Sequence, residues 1–239
     1  MSERSRPAGK LYLIPVGLGG EDDGSLLPEA TCNVARGLRT FVVENAKSAR
    51  RFLQAIDHPL PLRQIEMHVL DEHTRDVEPL LQLLASGADC GLMSEAGCPA
   101  VADPGAALVR RAHAEGITVV PLVGPSSVLL ALMASGLDGQ RFTFHGYVPA
   151  DQAGRARKLK EIEALAAGVT QIVIETPYRN TALLRSILDE CRGDTLLCIA
   201  ADLTLPTASV ATRAIAEWRK KPPALDRRLA VFLLYRERS

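Results

Sequence analysis

Short apolar runs alternate with amphipathic stretches along most of the chain. Leu11-Tyr12-Leu13-Ile14-Pro15-Val16 reads as a strand that empties into Gly17-Leu18-Gly19-Gly20. Glu29 to Leu38 is predicted helical. Thr40 to Glu44 is strand-like, with β-branched and aromatic enrichment. Ser48 to Ile56 has helical spacing, and Ile65 to Leu70 is extended. Val77, Leu80, Leu81 and Leu84 fall at i, i+3, i+4, i+7, which predicts a helix over Val77 to Ala85. The apolar run Cys90 to Met93 is a strand, and a long turn of small residues follows it, SEAGCPAVADPG, from Ser94 to Gly105. Asp103 suits the N-cap and Pro104 the first position of the next helix, which runs to Glu115. Gly116 suits its C-cap, and Ile117 to Val120 is the next strand.

Leu122-Val123-Gly124-Pro125-Ser126-Ser127 then opens a helix over Val128 to Ala134. Beyond Gly136 the texture changes. Arg141 to Tyr147 alternates like a half-buried strand, and Ala156 to Ala167 is a charged helix. Strands are predicted at Gln171 to Glu175, Leu196 to Ala200, Ser209 to Thr212 and Leu229 to Tyr235. Helices are predicted at Thr181 to Cys191 and Ile215 to Lys220. The alternation in the first half, up to Val120, predicts a mostly parallel sheet covered by helices. The expectation is an α/β chain of two lobes that meet between residues 121 and 126, taken as 1–123 and 124–239.

Composition narrows the function. The chain has 239 residues, 47% apolar and 23% charged, an ordinary globular balance. Lys+Arg and Asp+Glu both total 28, so the chain as a whole does not advertise strong attraction to nucleic acid. The basic runs Arg155 to Lys160 and Arg219 to Lys221 read as solvated helix faces. The five cysteines show no CxxC spacing, which suggests a reducing, cytoplasmic setting. No apolar stretch suggests a signal peptide or a membrane span.

Several site types are missing from the sequence. There is no GxxxxGK[ST], no HExxH and no GxSxG. GLGGED places Asp22 where a GxGxxG fingerprint needs glycine. His58, His68, His73, His113 and His145 lack ligand spacing, so no metal is expected. What remains is a set of small-residue turns after apolar strands: Pro15 to Gly20, Ser94 to Gly105, Leu122 to Ser127 and Glu175 to Asn180. Ligands in open α/β sheets bind just beyond strand C-termini, and small residues let them approach the backbone.

PAVADPGAALVRRAHAEGITVVPLVGPSSVLLALMASGL, from Pro99 to Leu137, resembles the tetrapyrrole methylase superfamily. Within it the chain is most similar to the branch that contains ribosomal small-subunit methyltransferase I. RFTFHGYVP (Arg141 to Pro149) and ETPYR (Glu175 to Arg179) extend the match, and weaker similarity spans roughly residues 10–235. The resemblance implies a tetrapyrrole methylase-like fold, with two α/β lobes and S-adenosylmethionine in the cleft between them. It also implies a homodimer. Carried over by position, the cofactor contacts are Pro15, Ser94, Glu95, Ala96, Gly97, Ser126, Ser127, Glu175, Thr176 and Pro177.

The sequence departs from the branch at several places. PVGLGG stands for TPIGNL after the first strand, Glu44-Asn45-Ala46-Lys47 for EDTR, SEAGCP for SDAGTP, and Asp226-Arg227-Arg228 for a Lys-Gly-Glu-like turn. The chain also lacks the branch's small C-terminal extension. The resemblance thus implies a methyltransferase whose acceptor is an rRNA ribose hydroxyl, or a tetrapyrrole or other small metabolite, with a cofactor-binding relative without turnover as the remaining alternative. It assigns no catalytic base.

Overall fold

A computed structural model describes residues 7–19, 25–71, 74 and 76–238. Gly20, Asp22 and His73, named above, lie outside the described residues. The chain divides into two compact units, Met1–Ser126 and Ser127–Ser239.

The first unit is a doubly covered parallel sheet. Its strands are β1 (Leu11–Leu13), β2 (Thr40–Val43), β3 (Glu66–Val69), β4 (Cys90–Met93) and β5 (Val119–Pro121), in the order β3-β2-β4-β1-β5. Every pairing is parallel. All four residues of β2 and of β4 are buried, as central strands covered on both faces require. On one face α1 (Glu29–Gly37) and α2 (Ala46–Ala55) set Cys32, Ala35, Phe52 and Leu53 against Ile14, Phe41 and Met93. On the other, α3 (Glu78–Ala85) and α4 (Ala106–Ala114) set Leu81, Leu84 and Leu108 against Leu11, Val42 and Leu92. Phe41, Leu53 and Leu81 are among the largest fully buried side chains. Burial of each is worth about 1.5–3 kcal/mol.

The second unit, where the sequence texture changes, has a mixed sheet. Its strands are β6 (Phe142–Tyr147), β7 (Thr170–Ile174), β8 (Leu196–Ala201), β9 (Ser209–Ala214) and β10 (Ala230–Tyr235), in the order β6-β7-β10-β8-β9. Only β6 and β7 pair in parallel, and the other three pairings are antiparallel. Two of these come from β10, which inserts between β7 and β8 and runs opposite to both, and the third joins the consecutive strands β8 and β9. The alternation expected for β6 is not observed, because the strand lies at an edge with its register broken between Phe144 and Tyr147. One face carries α6 (Gln152–Ala164), α7 (Asn180–Glu190) and α8 (Ile215–Lys220), packed on Val173, Leu197, Ile199 and Phe232. The other carries α5 (Ser127–Ser135), packed on Ile172, Cys198, Val231 and Leu233.

Two local expectations fail for identifiable reasons. Asp103 is not the cap of α4. Ala100 and Ala102 adopt left-handed backbone, with φ of 65° each, and Gly105 stands in the cap position at φ 127°. The turn therefore runs on through Gly105, and the helix starts at Ala106, two residues later than expected. Arg155 is not on a solvated face either. It is buried, its Nε donates to Ser186 Oγ at 2.9 Å and its Nη1 to Ala150 O at 2.8 Å, which ties α6 to α7. Arg219 likewise donates to Leu188 O and Cys191 O, satisfying carbonyls at the end of α7. Among the described residues no helix is long and apolar enough to cross a membrane, and no group of His, Cys, Asp or Glu could hold a metal ion.

Candidate functional site

In a parallel sheet all strands end at one edge, so the first unit gathers the loops that follow β1, β2, β4 and β5. Three of the four are tied together by backbone. Val16 N donates to Gly97 O at 2.9 Å and Gly97 N to Gly17 O at 3.1 Å, joining the turns after β1 and β4. The turn after β5 packs on Pro15, where a Cβ on Gly124 would come within 2.4 Å of the proline Cβ. Only glycine fits there. From the helical layer, Thr31 Oγ1 donates to Val123 O at 2.7 Å and holds the same turn. Gly97 adopts φ 71°, which turns the chain sharply after Ala96.

The predicted residues fall as follows. Pro15, Ser94, Glu95, Ala96, Gly97 and Ser126 belong to the first unit, with Pro15 and Ser94 to Gly97 brought together in these turns. Pro15, Ser94 and Gly97 are buried, while Glu95 and Ala96 are exposed. Ser127 begins α5. Glu175, Thr176 and Pro177 follow β7 in the second unit, on a separate strand end.

A carboxyl cluster surrounds the Ser94 turn. Glu44, at the end of β2, accepts from Glu95 N at 3.1 Å through Oε2. Asp103 lies beside Ser94, whose hydroxyl donates to Ala96 O at 3.2 Å. Burial, then the neighbouring charges of Glu44 and Glu95, push the Asp103 carboxyl up to about 7, against the opposing pull of Ser94. Asp103 therefore exchanges its proton near neutral pH. The sequence hid this role, since DPG before an apolar run reads as a cap. The visible signal was a second carboxylate, after Glu95, in the turn that follows a buried strand. The left-handed Ala100 and Ala102 in the same loop are strained conformations, at about 1–3 kcal/mol each.

A cavity of about 190 Å³ opens at this edge, lined by Val16, Gly17, Gly19, Ser48, Ala49, Arg51, Phe52, Ser94 and Glu95. The α2 residues in it were not singled out by their sequence pattern, which reads as an ordinary amphipathic helix.

In the second unit, Glu175 is buried at the end of β7. Its Oε1 accepts from Thr176 N at 2.8 Å and from Arg179 Nη2 at 2.6 Å. Its Oε2 is buried without a partner, as is Oδ1 of Asn180, whose Nδ2 donates to Arg228 O at 2.6 Å. Asp202 completes this sheet end. Burial alone would raise its carboxyl; hydrogen bonds from Arg228 and Thr207 outweigh that and hold it below the usual range.

Comparison with known proteins agrees with this architecture. The chain is 30% identical over 207 residues to the Ribosomal RNA small subunit methyltransferase I of Vibrio cholerae, covering 87% of this chain and 69% of that protein. It is 31% identical over 210 residues to the protein of the same name from Pseudomonas aeruginosa, covering 88% and 72%. The crystal structure of the methyltransferase CobJ shares the fold, with a TM-score of 0.63 and 17% identity over 95% of this chain and 94% of that one. Fold, strand-end turns and relatives together define an S-adenosylmethionine-dependent methyltransferase. Residues 10–218 match the family described as Tetrapyrrole (Corrin/Porphyrin) Methylases, and the chain belongs to it.

Proposed function

We propose that this enzyme methylates a ribose hydroxyl of small-subunit ribosomal RNA. Sequence kinship carries the reading. Identity of 30% and 31% to proteins named for that RNA runs through 87% and 88% of the chain, whereas CobJ shares only the fold.

S-adenosylmethionine is proposed to be held by Pro15, Ser94, Glu95, Ala96, Gly97 and Ser126 of the first unit and by Ser127, Glu175, Thr176 and Pro177 of the second. The residues suit the group. The close approach of Gly124 to Pro15 and the sharp turn at Gly97 leave bare backbone at the strand ends. Glu175 Oε2 and Asn180 Oδ1 are buried acceptors lacking donors, and the cofactor's ammonium, ribose hydroxyls and adenine amine are donors. When bound, it supplies an electrophilic methyl group, and the acceptor hydroxyl must release a proton. Ser94 lines the cavity and touches Asp103, so Asp103 takes that proton directly or through the serine hydroxyl, with an affinity matched to neutral pH. A homodimer in the cytoplasm completes the proposal; sedimentation at monomer mass would remove the dimer, and recovery of the protein outside the cytoplasmic fraction would remove the location.

The test is methyl transfer from tritiated S-adenosylmethionine to small ribosomal subunits that lack this modification. Label in rRNA, on ribose, is the expected result. Cofactor binding by calorimetry with no label in RNA would overturn the reading.

A further inference from the structure

The cavity in the first unit has walls of opposite charge. Ser48 and Arg51 lie three residues apart on α2, hence on one face of the helix, and reach the cavity beside Ala49 and Phe52. Glu95 faces it from the turn after β4. Arg51 and Glu95 line the same space, yet neither side chain forms an ion pair among the described residues. A guanidinium and a carboxylate held apart across a cavity leave each free for a ligand group of the opposite kind. The first turn of α2 adds the positive end of a ten-residue helix on the Arg51 side. Size narrows the ligand further. At about 190 Å³ the space is below the roughly 300–1,000 Å³ of sites for drug-sized molecules, so it suits a sugar phosphate and not a macrocycle.

We propose that this cavity binds a phosphate ester of the methyl acceptor, with the Arg51 guanidinium on the phosphate and the Ser48 hydroxyl, which donates to Asn45 O at 3.0 Å, turning to it, while Glu95 stays with the cofactor turn. Arg51 is then a specificity-determining residue. It fixes the register of the acceptor by its phosphate and leaves the cofactor untouched, as phosphate contacts position a nucleic acid without reading its bases. Guanidinium is the suitable group, since its planar fork matches two phosphate oxygens. The proposal rests on the RNA reading of the acceptor and specifies it.

The test titrates the protein with each ribonucleoside 5′-monophosphate and with the matching nucleoside, following backbone amide shifts by NMR. The expected result is saturable shifts at Gly17, Gly19 and Ser48 with the monophosphates and at least tenfold weaker binding of the nucleosides. Arg51→Ala should abolish the difference and Arg51→Lys should restore part of it, while both variants bind S-adenosylmethionine as the wild type does. A cavity that ignores the phosphate, or an Arg51→Ala titration equal to wild type, overturns the proposal. Methyl transfer to ribosomal subunits separates the two readings. Phosphate-dependent, Arg51-dependent shifts without methylated subunits would remove RNA as acceptor and keep a phosphorylated acceptor in the cavity. Methylated subunits with an unchanged KM in Arg51→Ala would keep RNA and remove the cavity.

Discussion

Replacing Asp103 by asparagine should make the protein more stable, and only above mildly acidic pH. The carboxyl ionises near 3.8 in an unfolded chain and at about 7 in the fold, because burial and the charges of Glu44 and Glu95 disfavour its anion. Between those values the folded protein holds a proton that the unfolded chain has released. The stability linked to the protonated carboxyl is complete below 3.8 and is lost as pH rises through about 7. At about 1.4 kcal/mol per pH unit, the gap sets a ceiling of about 4 kcal/mol. Asp103 is only part-buried and shares its environment with two other carboxylates, which reduces the realised effect to about 1–2 kcal/mol. Asparagine keeps the size and shape of the side chain and never ionises. Urea unfolding of both proteins at pH 5, 6, 7 and 8 should show the variant gaining about 1–2 kcal/mol on the wild type across that range, then levelling. A difference that stays constant with pH, or that shrinks as pH rises, would refute the account of why this carboxyl is perturbed. The same substitution should slow methyl transfer while leaving cofactor affinity in place, since the proposed proton acceptor is gone.

Gly124→Ala drives a methyl group into Pro15 at 2.4 Å; thermal unfolding should show a loss of about 1–3 kcal/mol, and calorimetry weaker S-adenosylmethionine binding. Glu175→Gln replaces one carboxylate oxygen with an amide donor beside Arg179; we expect S-adenosylmethionine affinity to drop about tenfold or more, and unchanged affinity would remove Glu175 from the cofactor contacts. Arg155→Ala strips the partners from Ser186 and Ala150 O between α6 and α7, and denaturant unfolding should show a cost of about 2–3 kcal/mol.

Local patterns carried much of the fold because they report burial directly. The spacing of Val77, Leu80, Leu81 and Leu84 could only be a helix against a core, and Leu80, Leu81 and Leu84 are buried in α3. The SEAGCP turn was legible because its small residues follow a wholly apolar run, and β4 is buried throughout. What escaped was decided at long range or by backbone conformation. Nothing in RARKLK distinguishes Arg155 from its neighbours, since its partner Ser186 lies 31 residues away. The antiparallel order of the second sheet depends on where β10 inserts, which no periodicity within β7 or β8 reveals. Asp103 looked like a cap because DPG often is one. The left-handed alanines before it have no sequence signature, and they move the helix start to Ala106. Arg51 sits in a pattern any amphipathic helix would show, and only the cavity beside it gives it a use.

The place of β10 also bears on synthesis. The strands of the first unit close within the first 126 residues, so that unit has all its sheet partners while the rest of the chain is still being made. The second unit cannot nucleate in that stepwise way. Its innermost strand is the last one in sequence, and β7 and β8 have no direct pairing until residues 230–235 arrive to sit between them. Until then two apolar strand edges stand open, an invitation to mispairing and to chaperone binding. A nascent chain arrested before residue 230 should therefore carry one finished unit and one that is waiting, and protease protection on stalled ribosomes would reveal the difference.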